Sequence, residues 1–485
     1  MHTRAALRAL AVSVIAAAPL LAQQPGRGAP PPMPPGFTAR PLADIDTVAN
    51  VAIVNVSEFA TIPDVGGVAP RLMSFQDEPG TRRLFVNEMR GGLFSVSYDG
   101  KTVTRYLDAN DSTWGQPIQS QGRERGLQAF AFHPQFAQAG TPGYGKFYTW
   151  ADVQDTTKAV DFRPGIANTA DHDVLLEWTA KNPKAATYDG GPPRELMRWQ
   201  DPYSNHNGGA LAFNPLARRG TEDFGLLYVS VGDGGSGGDP NNFAQNLGSA
   251  FGKLFRIDPL GKNSPNGKYG IPSSNPFAKG QKAGAMGEIY AYGIRNIQRL
   301  AWDPANGDLY YSEIGQNVVE EIGRIKAGDN LGWNVWEGSY KYGQRGVDTT
   351  SPRSDASTVY PLVEFQHADA LWAPNTRAAA SGLVVYRGPI GAIRNKVLFS
   401  ELVHGEVFWF DLTNLPRGGS SGIHRVLFRT PGSPAGRTMH AIVREKNEAQ
   451  GKTPAPRVDP RLSLANDGRV FVINKGDGII RVITP

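Results

Sequence analysis

The chain has 485 residues, a formal net charge of +5 and no cysteine. The absence of cysteine excludes disulfides, thiolate metal sites and covalently attached c-type haem. The small net charge, with no run rich in lysine and arginine, argues against nucleic-acid binding. With 57 glycines, 37 prolines and only 20% charged residues, the composition favours a turn-rich β protein over a disordered chain.

The first residues have the pattern of a secretory signal. Arg4 and Arg8 supply a positive region, residues 9–18 form a short apolar core, and cleavage is expected after Ala22. An uncleaved membrane anchor is the alternative, but the apolar core is short for a bilayer span. We therefore predict a periplasmic or secreted protein with no membrane span in the mature chain. Its predicted segments are a signal peptide at 1–22, a Pro/Gly-rich linker at 23–45 and a folded domain at 46–485.

One pattern recurs six times along the chain. An apolar pair is followed by small or polar residues, often with a glycine, and then by another apolar run, as two strands joined by a tight turn would be. The pattern begins at Leu84, Phe147, Leu227, Leu309, Leu398 and Val470. Six such units predict an all-β fold, a six-bladed β-propeller with four-stranded blades and long inter-strand loops. A set of β-sandwiches is the alternative.

Three polar features stand beside apolar runs, where propeller loops would converge on a central channel. His206 precedes a strand and is either a general base or a loop histidine bonded to backbone. Arg295 and Asn296 would bind an anionic or carbonyl oxygen, or form an ion pair that stabilises a blade. Gly315 and Gln316 offer backbone carbonyls to a hard cation such as Ca²⁺, or form an ordinary turn.

The glycine-rich run Gly232–Pro240 carries Asp233 and Asp239. It is either a wide loop or a source of one calcium ligand, and it lacks the lysine and hydroxyl of a phosphate-binding loop. His133 follows an apolar run and precedes a proline, which predicts a structural histidine.

A set of motifs occurs in a fixed order and resembles the soluble glucose/sorbosone dehydrogenase family. The motifs are GRERGLQAFAFHPQF, NHNGGALAFNP, LYVSVGDGGSGGDP, GKLFRIDP, YGIRNIQRLAWDPANGDLYYSEIGQNVVEEI and NLGWNVWEG. The resemblance extends over roughly residues 65–485. It implies an exported six-bladed propeller that binds pyrroloquinoline quinone (PQQ) and Ca²⁺ and oxidises the C1 hydroxyl of an aldose to the lactone.

The resemblance also implies roles for particular residues. His206 matches the general base that takes the C1 hydroxyl proton while hydride passes to the quinone. Arg295 and Asn296 match the pair that contacts the quinone oxygens, and Arg295 would stabilise charge on the reduced cofactor. Gly315 and Gln316 match the carbonyls that hold Ca²⁺. Candidates for the cofactor carboxylates are Arg437, Arg457 and Arg461, and candidates for the substrate side are Glu124 and Asn205.

The chain departs from the family pattern at several of these positions. Glu124 stands in place of a glutamine, Asn205 in place of an aspartate, and Val403 in place of a lysine that binds the cofactor. Because no haem motif is present, electrons would pass to an external acceptor. The departures keep a second hypothesis open, a catalytically silent propeller that binds carbohydrate or a protein partner. A calcium-dependent hydrolase or lactonase is a third.

Overall fold

β-Strands account for almost all of the regular structure. The computed structural model describes residues 33–167 and 169–485, so the expected signal peptide and most of the expected linker lie outside the described residues. Residues 36–485 form one compact unit. Within the described residues there are 28 strands, one α-helix and three short 3-10 helices. The prediction of an all-β fold is therefore confirmed. None of the helices in these ranges has the length and apolar character that a bilayer crossing requires.

The elements follow one another along the chain with few long gaps. The first fourteen strands are β1 (Phe37–Thr38), β2 (Ala52–Thr61), β3 (Leu72–Asp77), β4 (Arg83–Glu88), β5 (Gly92–Ser97), β6 (Val103–Asp108), β7 (Leu127–Phe132), β8 (Lys146–Val153), β9 (His172–Thr179), β10 (Arg194–Gln200), β11 (Leu211–Phe213), β12 (Leu227–Val231), β13 (Lys253–Ile257) and β14 (Ile289–Tyr292). The next seven are β15 (Ile297–Trp302), β16 (Leu309–Glu313), β17 (Val319–Ile325), β18 (Trp336–Glu337), β19 (Tyr340–Gly343), β20 (Gly346–Asp348) and β21 (Val363–Gln366). The last seven are β22 (Ala380–Tyr386), β23 (Lys396–Glu401), β24 (Val407–Asp411), β25 (His424–Arg429), β26 (Arg461–Leu464), β27 (Val470–Ile473) and β28 (Ile479–Thr484). The helix α1 spans Met439–Ala449, and the 3-10 helices span Ser112–Trp114, Ala278–Gly280 and Gly391–Ile393.

The strands form five four-stranded sheets and one eight-stranded sheet. The four-stranded sheets have the orders β3-β4-β5-β6, β10-β9-β8-β7, β11-β12-β13-β14, β15-β16-β17-β21 and β1-β20-β19-β18. The eight-stranded sheet has the order β22-β23-β24-β25-β2-β28-β27-β26. Four of these sheets match the expected four-stranded units. The small sheet β1-β20-β19-β18 is additional, and the eight-stranded sheet departs from the expectation because β2 joins β25 in a parallel pair.

Short turns connect the antiparallel strands, and one of them contains Asp99-Gly100. Between β5 and β6 the Gly100 N–H donates to the Ser97 carbonyl at 2.8 Å, and Gly100 has φ +75°. A Cβ at Gly100 would collide with the carbonyl oxygen of Phe59 on β2. Glycine is therefore required at this turn both by its φ angle and by the close approach of another strand.

Apolar side chains fill the space between successive sheets. One cluster packs Phe85 and Tyr106 of one sheet against Phe147 and Trp178 of the next, and further clusters of this kind join the later sheets. Two more clusters join β22–β25 to β26–β28, and β26–β28 to β3–β5. The strand groups, in chain order, are β3–β6, β7–β10, β11–β14, β15–β17 with β21, β22–β25, and β26–β28. The first strands of these groups also touch: β3 contacts β7 and β26, β7 contacts β11, and β22 contacts β15 and β26. The core is therefore divided into layers between sheets.

Strand β2 joins residues from opposite parts of the sequence. It pairs parallel with β25 and antiparallel with β28. Val54 and Val56 of β2 are 3% and 1% exposed and belong to the cluster that also contains Phe428 and Ile483. The burial of these side chains holds the two halves of the eight-stranded sheet together.

Val56→Ala is expected to lower the free energy of unfolding by about 2 kcal/mol, because it removes two buried methyl groups and leaves a cavity. Ile53→Ala is the matched control on the same strand, since Ile53 is 38% exposed, and its expected cost is below about 1 kcal/mol. Denaturant titration of both variants measures the difference. Equal costs would contradict the role assigned to the buried face of β2.

Candidate active site

Several predicted residues meet through direct hydrogen bonds. The Arg295 guanidinium lies 2.8 Å from Nε2 of His206 through Nη2 and donates to Oε1 of Gln316 at 3.0 Å through Nε. The backbone N–H of His206 donates to Oε2 of Glu124 at 2.9 Å. Glu124 precedes β7, His206 precedes β11, Arg295 precedes β15 and Gln316 follows β16. Loops of three different sheets therefore converge here.

His206 is buried and held in one orientation. Its Nδ1 lies 2.5 Å from Oδ1 of Asp233, and the Trp333 indole N–H donates to Oδ2 of the same carboxylate at 2.7 Å. Because the carboxylate only accepts, Nδ1 carries the proton and Nε2 presents its lone pair to Arg295. His206 has φ +61°, an uncommon value for a residue with a side chain. The local backbone is therefore constrained to point this ring at Arg295.

Asp233 remains ionised although it is fully buried. Burial raises the pKa of its carboxyl, but the neighbouring His206 and Arg295 and the N–H of Gly235 together hold that pKa below its ordinary value. The sequence allowed two roles for Asp233, an ordinary loop residue or a calcium ligand. The structure instead gives it the ring of His206 as partner.

The Glu313 carboxyl group holds the backbone of the Arg295–Asn296 segment. Oε1 of Glu313 accepts the backbone N–H groups of Arg295 and Asn296. The guanidinium of Arg295 also donates to the Ile314 carbonyl at 2.9 Å and lies 5.8 Å from the ring centre of Trp333. The Asn296 amide oxygen is buried and has no hydrogen-bond partner among the described residues. This oxygen can therefore accept a hydrogen bond from a ligand hydroxyl or coordinate a cation.

The Gly315–Val319 turn wraps around one carboxylate. Oε1 of Glu337 accepts the N–H groups of Gln316 at 3.0 Å and Asn317 at 2.7 Å, and those of Val318 and Val319 as well. In a trans peptide the carbonyl points opposite to the N–H, so the Gly315 and Gln316 carbonyls point away from Glu337. Two adjacent carbonyls that point the same way can serve as ligands of a hard cation.

The arginine candidates differ in where they lie. Arg461 begins β26, is 2% exposed and reaches Gln298 of β15 at 3.4 Å. Its Nε and Nη1 have no partner among the described residues, and burial lowers its pKa to about 10, so it is charged at neutral pH. Arg437 instead donates to Glu445 of α1 and to Thr430, and no contact links it to the His206 group.

A second positive group lies beside Arg461. Asp459 forms ion pairs with Arg457 and Lys475, and the Lys475 ammonium donates to the Arg123 carbonyl at 3.1 Å. Burial lowers the pKa of Lys475 to about 8. Arg123 adjoins Glu124, so this group borders the His206 loop. Sequence reasoning missed Lys475, because its neighbours are distant in the sequence.

The remaining candidates lie at the edge of the group. Asn205 accepts the N–H of Ser236 at 3.4 Å, and the Val403 N–H donates to Glu401 at 2.7 Å. Trp333 and Glu337 were not singled out from the sequence, since their roles depend on contacts with Asp233 and Gln316. A cavity of about 880 Å³ is lined by Phe213, Trp302 and Tyr386, at the other end of the first strands. Its lining contains no histidine, and none of the residues predicted for the site lies in it.

Glu313 gives this region a measurable pH dependence. Burial raises the pKa of its carboxyl to about 8, although the N–H groups of Arg295 and Asn296 lower it. Because this value lies above the ordinary 4.5, the folded state binds the extra proton and loses stability as pH rises towards 8. Glu313→Gln keeps an oxygen acceptor but does not titrate. Between pH 5 and pH 8 the denaturation midpoint of the wild type should fall relative to that of the variant; parallel changes would contradict this.

Comparisons with known proteins agree with the motifs. Similar to the chain are the HIPL1 protein of Arabidopsis thaliana, 26% identical over 72% of this chain and 53% of that protein, and the aldose sugar dehydrogenase YliI of Escherichia coli K12, 27% identical over 66% of this chain and 74% of that protein. The chain thus spans about half the length of the plant relative.

Among solved structures, the PQQ-bound form of an aldose sugar dehydrogenase from Streptomyces coelicolor has a TM-score of 0.54 and 20% identity, over 89% of this chain and 98% of that one. At this identity the likeness concerns the fold. The model of the Glucose / Sorbosone dehydrogenase family matches residues 69–417, which confirms the resemblance found in the motifs. The chain therefore belongs to the Glucose / Sorbosone dehydrogenase family.

Proposed function

We propose that the chain is a PQQ- and Ca²⁺-dependent dehydrogenase that oxidises the C1 hydroxyl of an aldose to the lactone and passes electrons to an external acceptor. The observation that carries this proposal is the buried His206, held by Asp233 at Nδ1 with Nε2 left as the proton-accepting nitrogen. Family membership and the fold shared with a PQQ-bound aldose sugar dehydrogenase support it.

The residues present fit a cofactor with several carboxylates. Arg461 has two buried donor nitrogens without partners. A carboxylate satisfies a guanidinium through short, charge-assisted bonds, so Arg461 would hold a carboxylate. Arg295 and the amide nitrogen of Asn296 would donate to the quinone oxygens. When bound, PQQ supplies the two-electron acceptor that protein side chains lack. Arg437 bonds to Glu445 and Thr430 and is left out of this proposal.

The Gly315 and Gln316 carbonyls fit Ca²⁺ at the same place. Gln316 links the turn to Arg295 through its side chain, so a cation bound to the turn would lie close to the guanidinium. Glu337 keeps the turn in shape by collecting its N–H groups. The ion would act as a Lewis acid on an oxygen of the cofactor.

His206 would take the proton from the sugar hydroxyl at Nε2. The resulting imidazolium is stabilised by the ionised Asp233, 2.5 Å from Nδ1. Nε2 cannot accept this proton while it accepts a hydrogen bond from Arg295. We therefore infer that an anionic oxygen draws the Arg295 guanidinium away before the proton moves. Glu124 and Asn205, beside the His206 backbone, would bind sugar hydroxyls.

We also propose that the fold is a six-bladed propeller. The parallel pair of β25 and β2 would be the boundary between two blades, β22–β25 and β26–β28 with β2. Contacts between first strands, and six apolar clusters each joining neighbouring groups, support this division. The small sheet β1-β20-β19-β18 would then be an addition outside the blades. The N-terminal signal pattern supports a periplasmic or secreted location.

A catalytically silent propeller that binds carbohydrate or a protein partner is the second candidate. Val403 favours it, because valine cannot supply the cation of the lysine found at that place in the family pattern. The hydrogen bond from Arg295 to the free nitrogen of His206 also favours it if no ligand displaces the guanidinium. The two candidates differ in one observable, the turnover of an aldose.

In protein reconstituted with PQQ and Ca²⁺, His206→Asn is expected to lower the rate of dye reduction at least about 100-fold, because it removes the general base. The measurement is aldose-dependent reduction of an artificial electron acceptor over a panel of sugars. His440→Asn is the matched control and should keep wild-type activity, since among the described residues the His440 side chain bonds only to the Ala455 carbonyl, at 3.1 Å.

Two outcomes would overturn the dehydrogenase proposal. One is a wild-type protein that reduces no dye with any aldose and whose thermal stability is unchanged by PQQ. The other is a folded His206→Asn variant that turns over at the wild-type rate. Binding of a sugar without turnover would favour the silent propeller.

A further inference from the structure

Three buried aspartates face one another beneath the His206 loop. Asp152 of β8 is the register partner of Asp173 of β9. Trp199 of β10 is in turn the partner of Asp173, and Asp201 lies two residues further on the same face. One carboxylate oxygen from each aspartate lies within 4.8 Å of the other two. The three side chains are 0%, 1% and 3% exposed.

No cation neutralises this cluster within the described ranges, since none of the three carboxylates takes part in an ion pair there. The nearest arginine contact goes to a fourth aspartate, Asp171, which Arg125 binds. Like charges directly opposite on neighbouring strands are destabilising. Burial raises the pKa of Asp152 to about 7, and burial with mutual repulsion raises the pKa values of Asp173 and Asp201 strongly. The cluster requires either protons or a metal ion.

Two carboxylate oxygens of the cluster are open to a metal ion or to a shared proton. Oδ2 of Asp152 accepts the Gly126 N–H at 2.9 Å and the Gln128 amide at 3.1 Å, which fixes the carboxylate, yet its Oδ1 has no partner among the described residues. Oδ1 of Asp173 is likewise unpaired. Outside the triad, Asn207 is 4% exposed and its amide oxygen is unpaired, while its amide nitrogen is 3.5 Å from Oδ2 of Asp201.

The Asn207 amide offers a further ligand atom for a metal ion. The oxygen and nitrogen of an amide have nearly the same shape, so a half-turn exchanges them. After that turn a fourth oxygen would join the three carboxylates. The Trp150 indole N–H donates to the backbone carbonyl of Asn207 at 2.9 Å, so the residue stays at the cluster when its side-chain amide turns.

We propose that Asp152, Asp173, Asp201 and Asn207 bind one Ca²⁺, separate from the ion proposed at Gly315 and Gln316. An all-oxygen ligand set selects a hard cation. Mg²⁺ usually keeps several of its waters, whereas Ca²⁺ takes carboxylate and amide oxygens in flexible geometry. A buried site made of protein oxygens therefore suits Ca²⁺ better.

The ion would act on the segment that carries the general base. Asp201 begins this segment, Asn207 directly follows His206, and His206 has the uncommon φ of +61°. Binding both ends to one ion would hold that backbone in place. Ca²⁺ here would be a positioning element, and this inference does not depend on the proposed dehydrogenase activity.

The test uses the full chain stripped of metal with EDTA and free of PQQ. Added Ca²⁺ should raise the melting temperature by about 3 °C at saturating concentration, and Asp173→Asn should lose this rise. In EDTA the Asp173→Asn variant should melt at or above the wild type, because one buried, unneutralised acidic group is gone. Tb³⁺ bound at the cluster should luminesce on tryptophan excitation, because Trp150 and Trp199 lie on the same face as the aspartates, with their ring centroids 4.7 Å apart. This signal should also disappear in the variant.

Asp239→Asn is the matched control. Asp239 is equally buried, but both its oxygens accept backbone N–H groups, from Phe243 and Ala244. This variant should keep both the Ca²⁺ response and the Tb³⁺ signal. If Asp173→Asn responds to Ca²⁺ and Tb³⁺ as the wild type does, the ion binds elsewhere and the proposal fails. If the wild type itself shows no response, the cluster holds protons alone and the proposal also fails.

Discussion

A buried carboxylate at the end of the second strand of a sheet is the interaction on which the site depends. In four of the strand groups it accepts the backbone N–H of a residue just before the first strand. The pairs are Glu88 with Arg71, Asp152 with Gly126, Glu313 with Arg295, and Glu401 with Ala379. Each carboxylate ties a loop at one end of the sheet to the strand beside it. Because the donors are backbone groups, the side chains of those loops remain available for other work.

The third group uses the same position differently. Asp233, just after β12, binds the ring of His206 in place of a backbone N–H. A structural position has thereby become the partner of a proposed base, while Glu313 in the next group presents Arg295 to that base. The candidate site therefore uses a variant of the buried carboxylate contact that holds the loops of the neighbouring groups. In the second group, Asp152 combines the same loop contact with a place in the proposed cation cluster.

The strands and the family could be read from the sequence, because both follow from local patterns. The runs at Leu84, Phe147, Leu227, Leu309, Leu398 and Val470 all fall in strands, and the acidic residues that end LFVNE, FYTWAD, LYVSVGD, LYYSE and LFSE were a visible signal for the buried carboxylates. The partners of those acids were not visible. Trp333 reaches Asp233 across 100 residues, and the insertion that contains α1 separates Arg437 from Arg461. The parallel pairing of β2 leaves no local mark either, since its alternating pattern suits any sheet edge.

Strand β2 has a consequence for how the chain reaches its final form. It is synthesised before nearly all of the other strands, yet its partners are β25 and β28, so Asn55 must wait for Thr484. Contacts between residues so far apart form slowly, because closing the loop costs entropy before any pairing is gained. Until then β2 presents unpaired backbone on both edges, and such edges invite pairing with other chains. Production of this protein should therefore depend on protection of a nascent segment whose docking site does not yet exist.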